Sequence, residues 1–407
     1  MVFKGTVGAP SLVAGQLGKT LGFTPTFVYR SALRGFAAPL SPPVLSAIRS
    51  DSRVSFVEPD TPVHAADFAE CTAYFQSGTQ CVPNWALRVD AENSSTRSGD
   101  GTGSVNVNVA VLDTGIDFTH PDLNVVGGAD CTSGKGFDDP NGHGSVVAGI
   151  IGAKDNAFGV AGTAPGANLY AVRVLNKQGS GSKSGVLCGV DWVTATRTDA
   201  DPANDIAVAN MSLGGQGSDD GNCGNTKKDV LHQAICASTA AGVTYVVAAM
   251  NDGTDFQNTI PAAYDEVLAA TAMGDSDGQP GGLGPSTCVS GQADDTYAFF
   301  SNFATLAADQ AHTVDAPGVC VVSTGPRGLY GFGFSGTSFA SPAVAGTVAL
   351  CIASGPCAGL TPAQIVQKIV SDAAAYNQAN PGYGFTGDPI RPVTGKYFGY
   401  LIHTGSY

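Results

Sequence analysis

Apolar residues follow an alternating pattern from about residue 105 to the C-terminal region. Short β-branched runs are separated by longer apolar segments with helical spacing. The runs that predict strands are VNVNVAVLDT, NLYAVRVL, IAVANMSL, TYVVAAMN and VLAATAM, and those that predict helices are SVVAGIIGA, SGVLCGVDWVTATR and DVLHQAICASTAAG. This alternation predicts an α/β fold: a doubly wound, mostly parallel sheet with helices on both faces.

The first part of the chain has a different pattern and predicts a separate, small α+β domain over residues 1–65. LVAGQLGKTLG and PPVLSAIRSD have helical spacing, TFVYRSALRGFAAPL is typical of a hairpin, and RVSFVEPD predicts a final strand. Residues 66–82 are small, polar and irregular, which indicates a connector. The remaining residues, 83–407, form the larger domain.

Several chemically distinctive side chains stand where predicted strands end. Asp113 ends the strand VAVLD, Ser212 closes IAVANMSL, and Asn251 closes TYVVAAMN. Because binding sites in open α/β sheets lie beyond the carboxyl ends of the strands, we expect these residues along one rim. His143 and Ser338 stand where helices begin and could reach the same rim.

Each of these residues alone has an ordinary structural interpretation. Ser338, in GFSGTSFASPAVAG, could simply cap a helix, and His143 between two glycines could be a loop residue. Together they supply the parts of nucleophilic serine chemistry: an alcohol, an imidazole base, the carboxylate of Asp113 and the amide donor of Asn251. The combination favours a serine hydrolase.

Charge and hydropathy narrow the range of partners. The net charge is −14 and no basic run occurs, which argues against nucleic acid, because phosphate binding requires clustered Lys and Arg. We identify no apolar stretch long enough to span a membrane. MVFKGTVGAP has no signal-peptide pattern, so a secreted form would have lost its leader.

Ten cysteines, none in a C-x-x-C pair, favour disulfides in an oxidising, extracellular compartment. The sequence leaves the connectivity open, and buried free thiols are the alternative. Pairing each cysteine with its neighbour gives Cys71–Cys81, Cys131–Cys188, Cys223–Cys236, Cys288–Cys320 and Cys351–Cys357.

The Asp, His and Ser blocks, in this order and together with ANMSLGG and VVAAMNDG, resemble the subtilisin-like serine proteases over most of the chain. The resemblance implies that Asp113 orients His143, which acts as general base and then as general acid. Ser338 would attack the peptide carbonyl, with Asn251 and the Ser338 backbone N–H binding the oxyanion.

Residues 1–65 resemble the inhibitory propeptide of that family. The resemblance implies a secreted, monomeric zymogen that processes itself within the connector. Its partners would be protein or peptide substrates and its own propeptide, and catalysis would need no cofactor.

The resemblance also implies a substrate groove between two segments: Ser212, Leu213 and Gly214 on one side, and Gly179, Ser180 and Gly181 on the other. Met250 stands where the family usually has a glycine that lines the primary specificity pocket. Thr259 is expected near the base of that pocket and carries no charge.

KDNAFGVAG resembles a structural Ca²⁺ loop of the family, although a simple glycine turn is the alternative. The implied ligands are the side chains of Asp122 and Asn156, the carbonyls of Lys154, Phe158 and Val160, and in addition Gln76. The acidic pair Asp138 and Asp139, ahead of His143, is interpreted as a solvated loop.

Two other functions are compatible with parts of this pattern. A protein of the same fold could retain its propeptide and act by binding, because Met250 and Val146 depart from the family pattern. An esterase on an α/β-hydrolase fold would need G-x-S-x-G and the order Ser, acid, His, and the sequence has neither.

Overall fold

The computed structural model describes residues 1–29, 34–57, 80–132 and 136–407. The chain separates into two units, Met1–Ala65 and Ala66–Tyr407, which are described in turn. The predicted pairing of Cys71 and the predicted ligand Gln76 lie outside the described residues.

The N-terminal unit is a small antiparallel sheet with two helices. Its strands are β1 (Val2–Phe3), β2 (Phe27–Tyr29), β3 (Gly35–Ala37) and β4 (Val54–Phe56), in the spatial order β2-β3-β1-β4, and its helices are α1 (Pro10–Leu21) and α2 (Pro42–Ser50). A proline begins each helix, where its missing N–H leaves no hydrogen bond unmade. Phe3, Leu17, Phe36 and Ile48 lie in its apolar core.

The larger unit contains the remaining elements in an alternating order. Its strands are β5 (Asn108–Asp113), β6 (Val125–Asp130), β7 (Asn168–Arg173), β8 (Val208–Met211), β9 (Gly215–Gln216), β10 (Thr244–Ala248), β11 (Thr259–Ile260), β12 (Leu268–Gly274), β13 (Thr296–Tyr297), β14 (Thr313–Pro317), β15 (Val321–Thr324), β16 (Tyr330–Phe334) and β17 (Tyr400–Leu401). Its helices are α3 (Asn84–Arg88), α4 (His143–Gly152), α5 (Lys183–Thr196), α6 (Val230–Ala240), α7 (Ala307–Gln310), α8 (Thr337–Ser354) and α9 (Pro362–Ala379).

Within the described residues, the central sheet has the strand order β17-β14-β12-β10-β8-β5-β7-β6, with β13 added antiparallel to β12. All neighbours along the main path pair in parallel. Apolar side chains of α4, α8 and α9 belong to one buried cluster and those of α5 and α6 to another. The predicted fold class, a mostly parallel sheet with helices on both faces, is confirmed.

Helix α8 corrects the expectation about membrane-length segments. It has 18 residues with a mean hydropathy of 1.4, so its length and composition would suffice to cross a membrane. However, 78% of it is buried inside the fold, where it packs against β8, β10, β12 and β14. A helix that is apolar on every side is buried on every side, and α8 is a core helix of this kind.

Within the described residues, the larger unit contains four disulfides, and all four match the pairing of neighbouring cysteines given above. They are Cys131–Cys188, Cys223–Cys236, Cys288–Cys320 and Cys351–Cys357. Such cross-links stabilise a fold largely by restricting the unfolded chain, and each typically contributes about 2–4 kcal/mol.

Candidate active site

Four of the predicted site residues lie at the carboxyl edge of the central sheet. Asp113 is the last residue of β5, and Ser212 directly follows β8. His143 is the first residue of α4 and Ser338 the second residue of α8. The last two stand inside the first helical turn rather than just ahead of it.

Asp113 and His143 form a hydrogen-bonded pair. The Nδ1 atom of His143 lies 2.8 Å from Oδ1 and 3.0 Å from Oδ2 of Asp113. The Asp113 side chain is fully buried, and its Oδ1 atom also accepts the backbone N–H of Thr114 at 2.7 Å. A buried carboxylate held in this way orients the imidazole and leaves its Nε2 atom directed away from Asp113.

The charge of Asp113 also sets the protonation behaviour of His143. Burial lowers the pKa of the imidazole, but the charge and hydrogen bond of Asp113 outweigh burial, so that the pKa of His143 is raised. The side chain of His143 remains 27% exposed, which leaves it open to substrate.

Asp139 fixes the start of helix α4, and this corrects its interpretation as part of a solvated loop. Its carboxylate is buried and accepts the backbone N–H groups of Asn141, Gly142 and Ser145 at 3.0, 2.8 and 2.9 Å. It also accepts the hydroxyl of Thr114 at 2.8 Å. Asp139 therefore ties the end of β5 to the helix that carries His143.

Ser338 lies in the same cavity as His143, but the two residues are not hydrogen-bonded to each other in this structure. The Ser338 Oγ atom donates instead to the carbonyl of Ser212 at 3.3 Å. Ser338 is 9% exposed. The serine side chain can adopt more than one staggered χ1 rotamer, and a change of rotamer would redirect its hydroxyl toward the imidazole.

Thr337 positions Asn251 beside the backbone of Ser338. The Asn251 Oδ1 atom accepts the backbone N–H and the hydroxyl of Thr337 at 2.8 and 3.0 Å, which leaves the Nδ2 donor free to face outward. A Cβ added at Gly336 would lie 3.4 Å from Asn251 Nδ2 and 3.7 Å from the Ser338 nitrogen. Two N–H donors therefore flank the same small space, as an oxyanion site requires.

A cavity of about 790 Å³ opens beside these residues. Among the residues that line it are His143, Ser338 and both predicted groove segments: Gly179, Ser180 and Gly181 on one side, Ser212, Leu213 and Gly214 on the other. Met250 also lines the cavity, whereas Thr259 does not; its neighbours Ile260 and Pro261 do.

The backbone explains why a glycine would suit position 250. Met250 has a φ of 76°, a left-handed conformation that glycine adopts without steric cost and methionine does not. A Cβ added at Gly214 would lie 2.8 Å from Met250 Cγ and 2.9 Å from its sulfur. The methionine side chain therefore lies against the Gly214 backbone and takes up space in the cavity.

Replacing Met250 by glycine is expected to enlarge the pocket and to relieve the strained backbone. We compare kcat/KM for peptides that have a large aromatic residue before the cleaved bond with kcat/KM for peptides that have alanine there. This ratio is expected to rise about tenfold, because burying one or two additional methylene groups changes selectivity by about that much. Relief of the left-handed conformation is expected to add about 1 kcal/mol to the free energy of unfolding. A Met250→Leu variant keeps the bulk and serves as control; equal selectivity in all three proteins would contradict the assignment.

The KDNAFGVAG loop brings its predicted ligands together around Asp122. Asn156 Nδ2 donates to Asp122 Oδ1 at 2.7 Å, and the N–H of Val160 donates to Oδ2 at 3.0 Å. Burial raises the pKa of the Asp122 carboxyl to about 6. Gln80 reaches this loop by donating from Nε2 to the carbonyl of Lys154 at 2.8 Å, whereas the predicted ligand Gln76 lies outside the described residues.

This donor set fits a Ca²⁺ ion on two observations. The Gln80 Oε1 atom is buried without a hydrogen-bond partner in the described part of the chain. The candidate donors are all oxygen atoms, which Ca²⁺ prefers: the side chains of Gln80, Asp122 and Asn156, and the carbonyls of Lys154, Phe158 and Val160.

Three residues with clear roles in this site are not predicted from the sequence: Asp139, Thr337 and Gln80. Thr337 adjoins Ser338 within GTSFASP, and Asp139 stands four residues before His143. Proximity to a predicted catalytic residue is the signal that could have identified both. Gln80 carries no such signal.

Comparison with known proteins agrees with this geometry. Residues 104–386 match the subtilase family, and residues 24–66 match the peptidase inhibitor I9 family. The chain is 38% identical to subtilisin DY of Bacillus licheniformis over 298 residues, which cover 72% of this chain and 92% of that protein. It is 34% identical to subtilisin E of Bacillus subtilis (strain 168) over 342 residues, 83% of this chain and 74% of the relative.

Among solved structures, a cold-adapted subtilisin-like serine proteinase superimposes with a TM-score of 0.56 at 28% sequence identity, covering 79% of this chain and 97% of that one. The chain therefore belongs to the subtilase family and is a serine endopeptidase with an I9-type propeptide region.

Proposed function

We propose that the protein hydrolyses peptide bonds through an acyl-enzyme on Ser338, with His143 as general base and Asp113 as the residue that orients it. The observation that carries the proposal is the Asp113–His143 hydrogen bond at 2.8 Å beside the cavity that Ser338 also lines. His143 and Ser338 both line this cavity, and the buried Asp113 holds His143 through its Nδ1 atom.

The reaction would proceed in two acyl-transfer steps. His143 Nε2 takes the proton of the Ser338 hydroxyl as its oxygen attacks the peptide carbonyl, and the imidazolium then gives that proton to the leaving amine. Asn251 Nδ2 and the Ser338 N–H stabilise the negative oxygen of each tetrahedral intermediate. Water, deprotonated by His143, releases the acyl group and restores Ser338.

Substrate would bind as an extended strand between the two groove segments. The backbones of residues 179–181 and 212–214 flank the cavity, and glycines at both places allow a peptide backbone to approach closely. Among the described residues that line the cavity, Lys183 is the only Lys, Arg, Asp or Glu. We therefore expect uncharged side chains to be preferred before the cleaved bond.

The protein would be made as a secreted, monomeric zymogen. Residues 1–65 would act as the intramolecular inhibitor, the connector 66–82 would carry the maturation site, and residues 83–407 would form the active enzyme. The I9 match over residues 24–66 and the four disulfides among the described residues of the larger unit support this organisation and an extracellular location.

A structural Ca²⁺ ion would bind in the KDNAFGVAG loop, through Asp122, Asn156, Gln80 and the loop carbonyls. Its role would be to stabilise the fold, because the loop residues take no part in the proton transfers described above. When bound, it would neutralise the buried Asp122 carboxylate.

An activated serine is best tested with a fluorophosphonate probe, which reacts with nucleophilic serines. We expect one adduct per chain of the propeptide-free enzyme, on the peptide that contains Ser338, with activity lost in proportion. His143→Ala is expected to prevent labelling, whereas His403→Ala, a histidine outside the cavity, is not. An unlabelled protein that also retains its intact N-terminus would instead favour the propeptide-retaining binding protein.

A further inference from the structure

Three metal-ligating side chains meet at the edge of the sheet opposite the catalytic residues. Asp265 precedes β12, Asp309 lies in α7, and His312 directly precedes β14. Since these positions are at the amino ends of parallel strands, the cluster is separate from the active site and from its cavity.

The cluster contains buried polar atoms that the protein leaves unsatisfied. His312 and Asp309 are each 3% exposed. Within the described residues, neither ring nitrogen of His312 has a hydrogen-bond partner, and the same holds for Oδ2 of Asp309. Backbone groups of Val267 and of His312 itself lie close enough to act on the imidazole, but neither forms a well-aligned hydrogen bond with a ring nitrogen. Buried polar groups are normally paired, so three unpaired atoms in one place indicate a missing partner.

The spacing of these atoms suits an ion. One ligand atom from each residue lies within 4.8 Å of the other two. A point between three atoms so spaced is at most about 2.8 Å from each of them, and zinc–nitrogen and zinc–oxygen distances are about 2.0–2.2 Å. Shifts of about half an ångström would therefore bring all three atoms to a metal.

The surroundings favour a cation and allow it to enter. The charges of Asp255, Asp265 and Asp219 all act on Asp309, and no Lys or Arg is among the groups that influence it. A cavity of about 220 Å³ is lined by Asp265 and His312, together with Glu266 and the first turns of α9. Asp265 itself is exposed, so the site has an entry path from solvent.

We propose that Asp265, Asp309 and His312 bind a divalent transition-metal ion of the Zn²⁺ class, with water completing its coordination. One imidazole and two carboxylates suit such ions, whereas the oxygen-only donors around Asp122 suit Ca²⁺. The bound metal links the start of β12 to the start of β14 and so stabilises the sheet from the edge remote from catalysis.

The test uses the full chain carrying Ser338→Ala, which prevents self-digestion. The protein is stripped with a chelator, resupplied with excess Ca²⁺, and titrated with Zn²⁺ against a chromogenic competitor. We expect one equivalent of tightly bound Zn²⁺, and a visible absorption band when Co²⁺ replaces it. Saturating Zn²⁺ is expected to raise the unfolding temperature by a few degrees.

Asp265→Asn is the decisive variant, because the residue is exposed and its replacement leaves the core intact. It is expected to weaken Zn²⁺ binding at least tenfold and to remove the thermal shift, and His312→Asn to abolish the Co²⁺ band. Asp138→Asn, an exposed aspartate ahead of helix α4, is the matched control and should bind as the parent does. Absence of stoichiometric binding, or binding unchanged in Asp265→Asn, would overturn the proposal.

Discussion

Replacing Ser338 by alanine is expected to lower kcat by about 10⁶-fold, the effect that the same exchange has in a subtilisin. The reason is chemical: in the proposed mechanism Ser338 Oγ is the atom that forms the acyl bond, so its removal leaves no nucleophile at that position. Peptide hydrolysis by the purified variant, compared with the parent under single-turnover conditions, measures the loss. The fold should persist, because the hydroxyl makes only a 3.3 Å hydrogen bond to the Ser212 carbonyl.

The same variant separates self-processing from processing by another protease. When the full-length parent is incubated, we expect cleavage between residues 65 and 76, seen by mapping the new N-terminus; Ser338→Ala should stay intact. Ser354→Ala, at the other end of helix α8, is the matched control and should process normally. Cleavage of purified Ser338→Ala at the parental rate would contradict the assigned nucleophile.

Replacing Asp113 by asparagine is expected to lower kcat by about 10⁴-fold while leaving the fold intact. An asparagine amide can donate to His143 Nδ1, which would place the imidazole proton on Nε2 and remove the base that Ser338 needs. Because KM reports mainly the groove, we expect it to change far less than kcat. The parent and variant are compared with one peptide at several pH values.

The dependence of activity on pH provides a second, independent test of the role of Asp113. In the proposed mechanism catalysis needs neutral His143, so activity is expected to fall as the pH decreases through the pKa of that imidazole, which Asp113 raises. Without the carboxylate the pKa drops, and the residual activity of Asp113→Asn should extend to lower pH than that of the parent. Asp138→Asn removes an equal but exposed charge near His143 and should leave the profile unchanged. An acidic limb that does not move in Asp113→Asn would show that another group controls it.

The sequence predicts those parts of the molecule whose signal is local. The strand that ends in Asp113 and the strand that Ser212 directly follows are short and almost entirely buried, so their type and approximate position follow from the pattern. The structure begins them at Asn108 and Val208, later than the predicted runs begin. Strand β6 goes unpredicted, because its sequence VVGGAD contains two glycines and lacks a strand-like run. Helix α4 begins two residues before its apolar run, since Asp139 accepts the N–H groups at its start.

Contacts between residues that the fold brings together leave no such local pattern in the sequence. Asp139 resembles a solvated acid in DDPNGHG, and only the three-dimensional turn at Gly142 shows that its carboxylate is enclosed by N–H donors. The cluster of Asp265, Asp309 and His312 joins residues from three elements. The family resemblance predicts Thr259 near the base of the pocket, one position from the residues Ile260 and Pro261 that line the cavity. A resemblance in sequence does not show which of these neighbouring side chains points into the cavity.

Helix α8 carries Ser338 at its buried start and packs across four strands of the sheet. The Ser338 hydroxyl is thereby held on a buried core helix instead of on a surface loop. Loss of activity on heating should consequently coincide with unfolding of the entire larger unit, and a folded but inactive form should not accumulate. In a search for more thermostable variants, the peptide hydrolysis that remains after heating could therefore serve as a direct measure of the fraction of protein that is still folded.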